Sequence, residues 1–536
     1  METRLNFLYL ETFLLLLCLL SSNIKAQDSL YLVGTITGSS YETRITDIDR
    51  IGDVNGDGYD DFMVSRRTGS KTKDQGIIQI YFGSPNLDLI PNIVLHYPDT
   101  DTLNDLGNAS EIGDINGDGY DDFTVTGAFG DWGYTKGKVF LYYGGANIDT
   151  IPVAKFYEPW IQDYFGSVIE KVGDLDKDGY DDFTVSSTYN WSNGKGYVYL
   201  FWGGDTISLE KSITFASDSL GDFFGESVAN IGDINNDGFD DIAIGAPNIG
   251  STINPGTVYV YFSDNFISVI PDTILKGNYI NEGFGSIIKN SGDLDNNNKI
   301  EYLIGGGGYV YIYEGININT TINGFEMGIG GFINVESNCD LNNDGYGDFI
   351  TGNTNYRNSD SLMVGGAFVY FGKKTIDTVY TITLEGENKW DEFSRIMSAA
   401  DINGDGYDEL FILASNYPDY NNPQGKIYIY SYKNLTNIED HKDNVPSNFK
   451  LNQNYPNPFN PTTNIQFSIP KQNFVTLKVY DVLGREVATL VDEEKLAGEH
   501  KVEFDAAKYK LSSGIYFCEL KMKGGNSSRI KMVLIK

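Results

Sequence analysis

Six short apolar runs, GKVFLYYGG, GYVYLFWGG, GTVYVYF, GYVYIY, GAFVYFG and GKIYIY, recur along most of the chain. Each alternates Val or Ile with Tyr or Phe, so both faces of the strand it predicts carry bulk. A sheet that is apolar on both sides must be covered on both sides. Further strands read DFMVS, DFTVT and DIAIG, each directly behind an acidic loop. Ahead of the loop stands Phe-Gly or a relative, at Phe165-Gly166, Phe224-Gly225, Phe284-Gly285 and, more loosely, Leu106-Gly107. Behind it the strand ends in a Gly-Ala type turn, clearest at Gly245-Ala246-Pro247.

The polar positions set the repeat. DVNGDGYDD starts at Asp53, DINGDGYDD at Asp114, DLDKDGYDD at Asp174, DINNDGFDD at Asp233, DLDNNNKIE at Asp293, DLNNDGYGD at Asp340 and DINGDGYDE at Asp401. Start-to-start separations of 61, 60, 59, 60, 47 and 61 residues mark a tandem array. Each loop offers Asp or Asn at its first, third and fifth positions, a main-chain carbonyl at the seventh and a carboxylate at the ninth. Calcium takes about six to eight hard oxygens on a sharply turned backbone. The expected ligands are therefore Asp53, Asn55, Asp57, Tyr59 and Asp61; Asp114, Asn116, Asp118, Tyr120 and Asp122; Asp174, Asp176, Asp178, Tyr180 and Asp182. In the later copies they are Asp233, Asn235, Asp237, Phe239 and Asp241; Asp340, Asn342, Asp344, Tyr346 and Asp348; Asp401, Asn403, Asp405, Tyr407 and Glu409, with Tyr or Phe giving its carbonyl. Gly at the sixth position permits the positive φ such a turn needs. The fifth copy has Asn298 there, so Asp293, Asp295, Asn297 and Glu301 are expected to form a weak or empty site. That makes about six Ca2+ sites, or seven with the fifth loop. The first half of the loop resembles an EF-hand loop, but the bidentate Glu at its twelfth position is absent and the flanks are strand-like. Without an ion the crowded carboxylates repel one another, so calcium is expected to be part of folding.

Units of about 60 residues, with four short strands and two buried faces, suit a radial stack of sheets, and seven units fall within the blade number of β-propellers. The expected fold class is all-β: a seven-bladed β-propeller with calcium-binding hairpin loops over residues 27–432, a linker over 433–448, and a small immunoglobulin-like β-sandwich over 449–536. The order of elements resembles the FG-GAP repeat, the unit of the seven-bladed propeller in integrin α subunits and of many bacterial surface proteins, over Ser29 to Ser431. Departures lie in repeats five and six, where GGGG at Gly305 to Gly308 replaces the Gly-Ala-Pro turn and the shortened spacing loses a loop. SLYLVGT, Ser29 to Thr35, parallels TILKG and TITLEG of later units, and is expected to pack beside the last blade as closure. Cys339 replaces the Gly that precedes the loop Asp in most copies, and reads as a small buried apolar residue rather than a reactive thiol.

The chemistry changes towards the carboxyl end. NYPNPFNPTT, Asn454 to Thr463, imposes an extended lead-in through its prolines. Period-two strands follow, with Ile465, Phe467 and Ile469, then Val475, Leu477 and Val479, facing one way. A sandwich of the immunoglobulin kind fits these strands. NYPNPFNPTT, VYDVLGREV, LSSGIYF and KMVLIK look like the type A sorting domain of the type IX secretion pathway, over Phe449 to Lys536. The resemblance implies passage across the outer membrane through that machinery, with the cargo released or held at the surface.

Composition narrows what such a chain does. Lys and Arg number 39 against 74 Asp and Glu, a net charge of −35, which argues against nucleic acid and anionic membranes as partners. Three His leave little room for multi-imidazole chemistry, and three Cys, one of them Cys18, allow no disulfide framework. The apolar run Thr12 to Leu20 behind Arg4, with Ala26 suited to cleavage, reads as a signal peptide over 1–26. It is too short for a membrane anchor, and no later stretch is long and apolar enough to span. The propeller is then the cargo. Loops reading GDWGYTKG, STYNWSNGKG, NTNYRNSD and SNYPDYNNPQG place Trp132, Tyr134, Tyr189, Trp191, Tyr356, Tyr417 and Tyr420 at comparable points of different blades. Flat rings beside amides can stack on sugars or grip a protein loop. The expected function is a non-enzymatic, calcium-binding adhesion or ligand-binding protein, secreted or at the outer surface, whose partner is a glycan or extracellular protein. The alternatives are a propeller polysaccharide lyase acting on acidic glycans and a structural matrix component. No catalytic constellation is recognisable in the sequence.

Overall fold

The computed structural model describes residues 29–535 except 39–42, 69–75, 86, 88, 97, 99–104, 129–136, 158–163, 189–194, 205–212, 218, 249–253, 265–266, 325–332, 421, 434–448, 455, 470–472, 496–497 and 524–526. The leader over 1–26, the linker beyond Lys433, and Trp132, Tyr134, Tyr189 and Trp191 lie outside the described residues. No helix occurs among the described residues, and the chain divides into two compact units, Met1–Leu435 and Thr436–Lys536.

The first unit holds seven four-stranded antiparallel sheets. Blades 1 to 6 occupy residues 43–96, 105–157, 165–216, 228–276, 287–323 and 333–385. Blade 7 combines Ile396–Ala400, Glu409–Ala414 and Lys426–Lys433 with Ser29–Thr37 from the amino end. First strands of successive blades pack against one another, the seventh meets the first, and all seven line one central cavity. The fold is a seven-bladed β-propeller. Its closure is the one expected: Ser29 pairs with Lys433 and Thr37 with Lys426, which makes the amino-terminal strand the outermost of blade 7.

The residue directly behind each loop's last carboxylate fills the space between blades. Phe62, Phe123, Phe183, Ile242, Tyr302, Phe349 and Leu410 are all buried. Its cross-strand partner is aromatic in every blade, and in five both members are, giving stacked pairs with centroids 4.8 Å (Phe62 and Tyr81), 5.2 Å (Phe123 and Tyr142), 5.1 Å (Phe183 and Phe201), 5.4 Å (Tyr302 and Tyr313) and 4.6 Å (Phe349 and Tyr370) apart. Paired rings of this kind add to the area they bury. This is why the inward strands alternate β-branched and aromatic residues.

The Phe-Gly element joins blades. A Cβ on Gly196, at the start of a third strand, would lie 2.0 Å from the carbonyl oxygen of Phe224 in the next blade. The same holds for Gly137 and Phe165 (2.0 Å), Gly256 and Phe284 (2.3 Å), and Gly365 and Phe393 (2.4 Å). In blade 5, Gly307 and Gly308 form a tight hairpin turn between Gly306 and Tyr309, which pair, so the four glycines replace a long loop. Cys339 is buried and its thiol donates to the Asp348 carbonyl oxygen at 3.5 Å. Burial pushes that thiol well above its ordinary range, which makes it inert.

The second unit is a sandwich. One sheet holds Lys450–Leu451, Thr462–Ile469 and Gly498–Asp505; the other holds Glu486–Lys495, Asn473–Tyr480, Gly514–Met522 and Ser527–Leu534. Ile465, Phe467, Ile469, Val475, Leu477 and Val479 form its core with Phe459. Asn454 is buried and donates to the Thr463 hydroxyl at 3.0 Å, while the Phe459 amide donates to the Val533 carbonyl oxygen at 2.9 Å. The proline-rich lead-in is thus fastened to the core it introduces.

Candidate metal loops and the opposite face

Each acidic loop joins the first and second strands of its blade, so antiparallel geometry puts all seven on one face. The loop curls around its first Asp. In blade 1 the Asp53 carboxylate accepts from the amides of Gly56 (2.7 Å), Asp57 (3.0 Å) and Gly58 (2.8 Å), and Asp57 accepts from Tyr59 at 3.2 Å. The ninth residue closes the loop from below: Asp61 accepts from Val54 at 3.1 Å and from Gly83, at the end of the third strand, at 2.8 Å. The same two bonds recur in blades 2, 3, 4 and 6, for example Asp182 with Leu175 and Gly203, both at 2.9 Å. Asn298 adopts φ +65° where Gly58, Gly119 and Gly179 adopt +89°, +89° and +97°, so the fifth loop keeps the same turn.

The ninth-position carboxylates Asp61, Asp122, Asp182, Asp241, Glu301, Asp348 and Glu409 are all buried. Desolvation pushes Asp61, Asp122, Asp182, Asp348 and Glu409 up to about 8, and Asp241 and Glu301 to about 7. Amide donors partly offset this, but none removes it. In the third and fifth loops, Asp174, Asp176 and Asp182, and Asp293, Asp295 and Glu301, bring one oxygen each within 4.8 Å of one another. The other five have Asn at the third position, whose amide oxygen would serve instead. Asp295 Oδ1, Glu301 Oε1 and Glu409 Oε2 are buried acceptors with no donor among the described residues. A cluster of hard oxygens, some lacking any proton donor, fits a divalent cation.

The loops also hold one another, through a residue that the spacing argument passed over. The eighth position is Asp60, Asp121, Asp181, Asp240 or Asp408 in five copies. Asp121 accepts from the Asp53 amide of the preceding blade at 2.9 Å, Asp181 from Asp114 at 3.1 Å, Asp408 from Asp340 at 2.7 Å, and Asp60 from Asp401 across the ring closure at 3.3 Å. Asp240 instead accepts from Asn230 at 3.0 Å, and Ile300, in the fifth copy, packs over Gly232. The seventh residue has a second task as well. The Tyr120 ring covers Gly56, Tyr180 covers Gly117, Tyr59 covers Gly404, and Lys177 lies 4.4 Å over the Phe239 ring. The doubled acid of GYDD was visible in the sequence; its inter-blade partner was not.

The axis is charged. Glu111 receives Arg50 at 3.2 Å and Lys171 at 3.3 Å, and Lys171 also reaches Asp181 at 3.0 Å. Burial opposes the charge on Glu111, but Arg50 and Lys171 outweigh it and hold its carboxyl below the usual range. Lys289 pairs with Glu336 at 3.7 Å across the same cavity of 350 Å³.

Loops between second and third strands, and the segments that join blades, lie on the face opposite the acidic loops. Tyr356 packs edge-on against Phe368 at 5.3 Å and donates to Glu385 at 3.2 Å; Tyr417 lies 4.7 Å beneath the Lys426 ammonium. Both are half-buried and brace their own blades. Tyr420 is exposed and meets Trp390 at 6.4 Å, a residue the sequence reading did not single out.

Residues 453–536 match the secretion system C-terminal sorting domain, and residues 224–261 and 393–430 match the FG-GAP repeat. The chain is 34% identical to integrin alpha-3 of Cricetulus griseus over 152 residues, which is 26% of this chain and 14% of the relative. It is 34% identical to integrin alpha-7 of Homo sapiens over 142 residues (25% and 11%), and 32% identical to integrin alpha-PS5 of Drosophila melanogaster over 183 residues (31% and 18%). It therefore spans less than a fifth of the length of these relatives. No helix among the described residues is long and apolar enough to cross a membrane. The chain carries FG-GAP repeats in its β-propeller, is similar over part of its length to part of the integrin α subunits, and holds at 453–536 a type IX secretion sorting domain that directs it to the cell surface or beyond.

Proposed function

We propose that this chain is a calcium-stapled, non-enzymatic propeller that, outside the cell, holds a glycan or protein ligand on the face opposite its acidic loops. The observation that carries this is the division of labour between the faces. One is a ring of seven buried-carboxylate loops, four neighbouring pairs of which are clasped by an eighth-position Asp. The other bears, among the described residues, the exposed rings of Trp390 and Tyr420 beside the amides of Asn355 and Asn416. In each loop the first, third, fifth and ninth side chains and the seventh carbonyl would hold the ion, which supplies the positive charge the buried ninth carboxylate lacks. The boundaries that go with this reading are a removed leader over 1–26, the propeller over 27–432 and a sorting domain over 449–536.

Thermal unfolding with calcium and with chelator tests the first half. A site filled at a hundred times its Kd adds about 2.7 kcal/mol, so several sites should separate the two melting temperatures widely, and coincident curves would end the proposal. The second half is tested by glycan arrays and by capture of extracellular proteins with the calcium-loaded chain.

A further inference from the structure

Resting on that reading, we propose that the ligand is an uncharged sugar residue, seated in a pocket between blades 6 and 7 and stacked on Trp390 and Tyr420. The pocket has a volume of 270 Å³, enough for one ring. Asn355 comes from the second-to-third-strand loop of blade 6, and Asn416 and Tyr420 from that of blade 7. Trp390 and Glu392 come from the segment that joins the two blades.

The backbone marks this segment out. Three alternate residues of the Phe-Gly turn take left-handed conformations in every blade where the whole turn is described. In blade 4 they are Gly221, Phe223 and Gly225 (φ 69°, 58° and 88°); in blade 5, Asn281, Gly283 and Gly285 (60°, 66° and 88°). In blade 7 they are Trp390, Glu392 and Ser394 (66°, 52° and 69°), with no glycine at all. Bulky residues in that region are strained, and such strain collects at binding and catalytic sites. The turn itself is the same, since Asp391 accepts from Asn388 at 2.7 Å and Phe393 bridges to Gly365 as Phe284 does to Gly256. What differs is the side chains delivered, and two of them line the pocket.

Their chemistry selects the ligand. Trp390 and Tyr420 are 47% and 58% exposed and stand at 70° to each other, an open corner for the C–H face of a pyranose. The side-chain amides of Asn355 and Asn416 and the Glu392 carboxylate make no hydrogen bond among the described residues, and together they offer donors and acceptors for hydroxyls. An anionic sugar would meet Glu392 and a chain of net charge −35. A cationic side chain would meet Lys389, whose ammonium already lies 4.0 Å over the Trp390 ring. A neutral ring avoids both.

The full calcium-loaded chain should be applied to a printed array of neutral, sialylated and uronate-bearing oligosaccharides, with an arginine-rich peptide as the cationic control. Neutral glycans should be retained. Calorimetric affinity for the retained glycan should fall about tenfold or more in Trp390→Gly and in Tyr420→Ala. Trp390→Gly should keep the wild-type melting temperature, because glycine adopts this backbone without strain. Neutral-glycan affinity untouched by both substitutions would overturn the pocket and leave the ligand-binding propeller standing. Preferential capture of the peptide or of anionic glycans would overturn the ligand class. If the array stays blank and no extracellular protein is captured, both readings fall.

Discussion

Asp182 illustrates what one residue does in this protein. Its carboxylate is buried, accepts two amides, and is pushed up to about 8 by desolvation. Asp182→Asn removes the charge an ion would answer and turns one acceptor into a donor facing an amide. We expect the calcium-induced rise in melting temperature to shrink by one site's share, about 2.7 kcal/mol at a hundred times Kd, as read by scanning fluorimetry with calcium and with chelator. Two glycines separate steric from conformational need. Gly58→Ala meets nothing within 4 Å but must adopt φ +89°, a cost of about 1–2 kcal/mol. Gly196→Ala drives a Cβ to 2.0 Å from the Phe224 carbonyl oxygen, so the blades must part, at a cost of about 1–3 kcal/mol or more. Denaturant unfolding of the two variants should rank them in that order. The loop oxygens were legible because their ligand spacing is local; the roles of Gly137, Gly196 and Trp390 were not, because each depends on the next blade or loop.

Among the elements, the amino-terminal strand has the largest task. Ser29–Thr37 pairs along its whole length with Lys426–Lys433, so the ring is fastened by a sheet built from both ends. Removing it exposes an unpaired edge and opens blade 7. Deletion of 29–37 should lower the melting temperature sharply, and an unchanged temperature would mean that the acidic loops alone close the ring. SLYLVGT was readable because it repeats the pattern of Thr273–Lys276 and Ile382–Glu385, both of which are outer strands. The loop-to-loop clasp was hidden, since Asp121 and its partner Asp53 stand 68 residues apart and only the packing of blade 2 against blade 1 brings them together. Asp121→Asn should cost about 0.5–1.5 kcal/mol, in keeping with a single hydrogen bond.

At the scale of the molecule, charge couples stability to pH. In the metal-free chain the ninth-position carboxylates sit at about 7 to 8, above their unfolded values, so they favour folding in acid and lose that contribution as pH climbs through this range. Calcium binds the ionised form, so its contribution grows as pH rises. The gap between melting temperatures with calcium and with chelator should therefore widen from pH 5 to pH 8, and a constant gap would show that these carboxylates do not hold the ion. The sequence by itself determined the number of blades, the acidic loops, the closing strand and the sorting domain, because each is written as a repeat or contiguous motif whose period fixes its neighbours. Tertiary structure alone decided which acid clasps the next loop, which glycines let blades touch, and which side chains share a pocket. Those relations join residues a full repeat or more apart, or on adjoining loops, and only packing around the axis sets their distance.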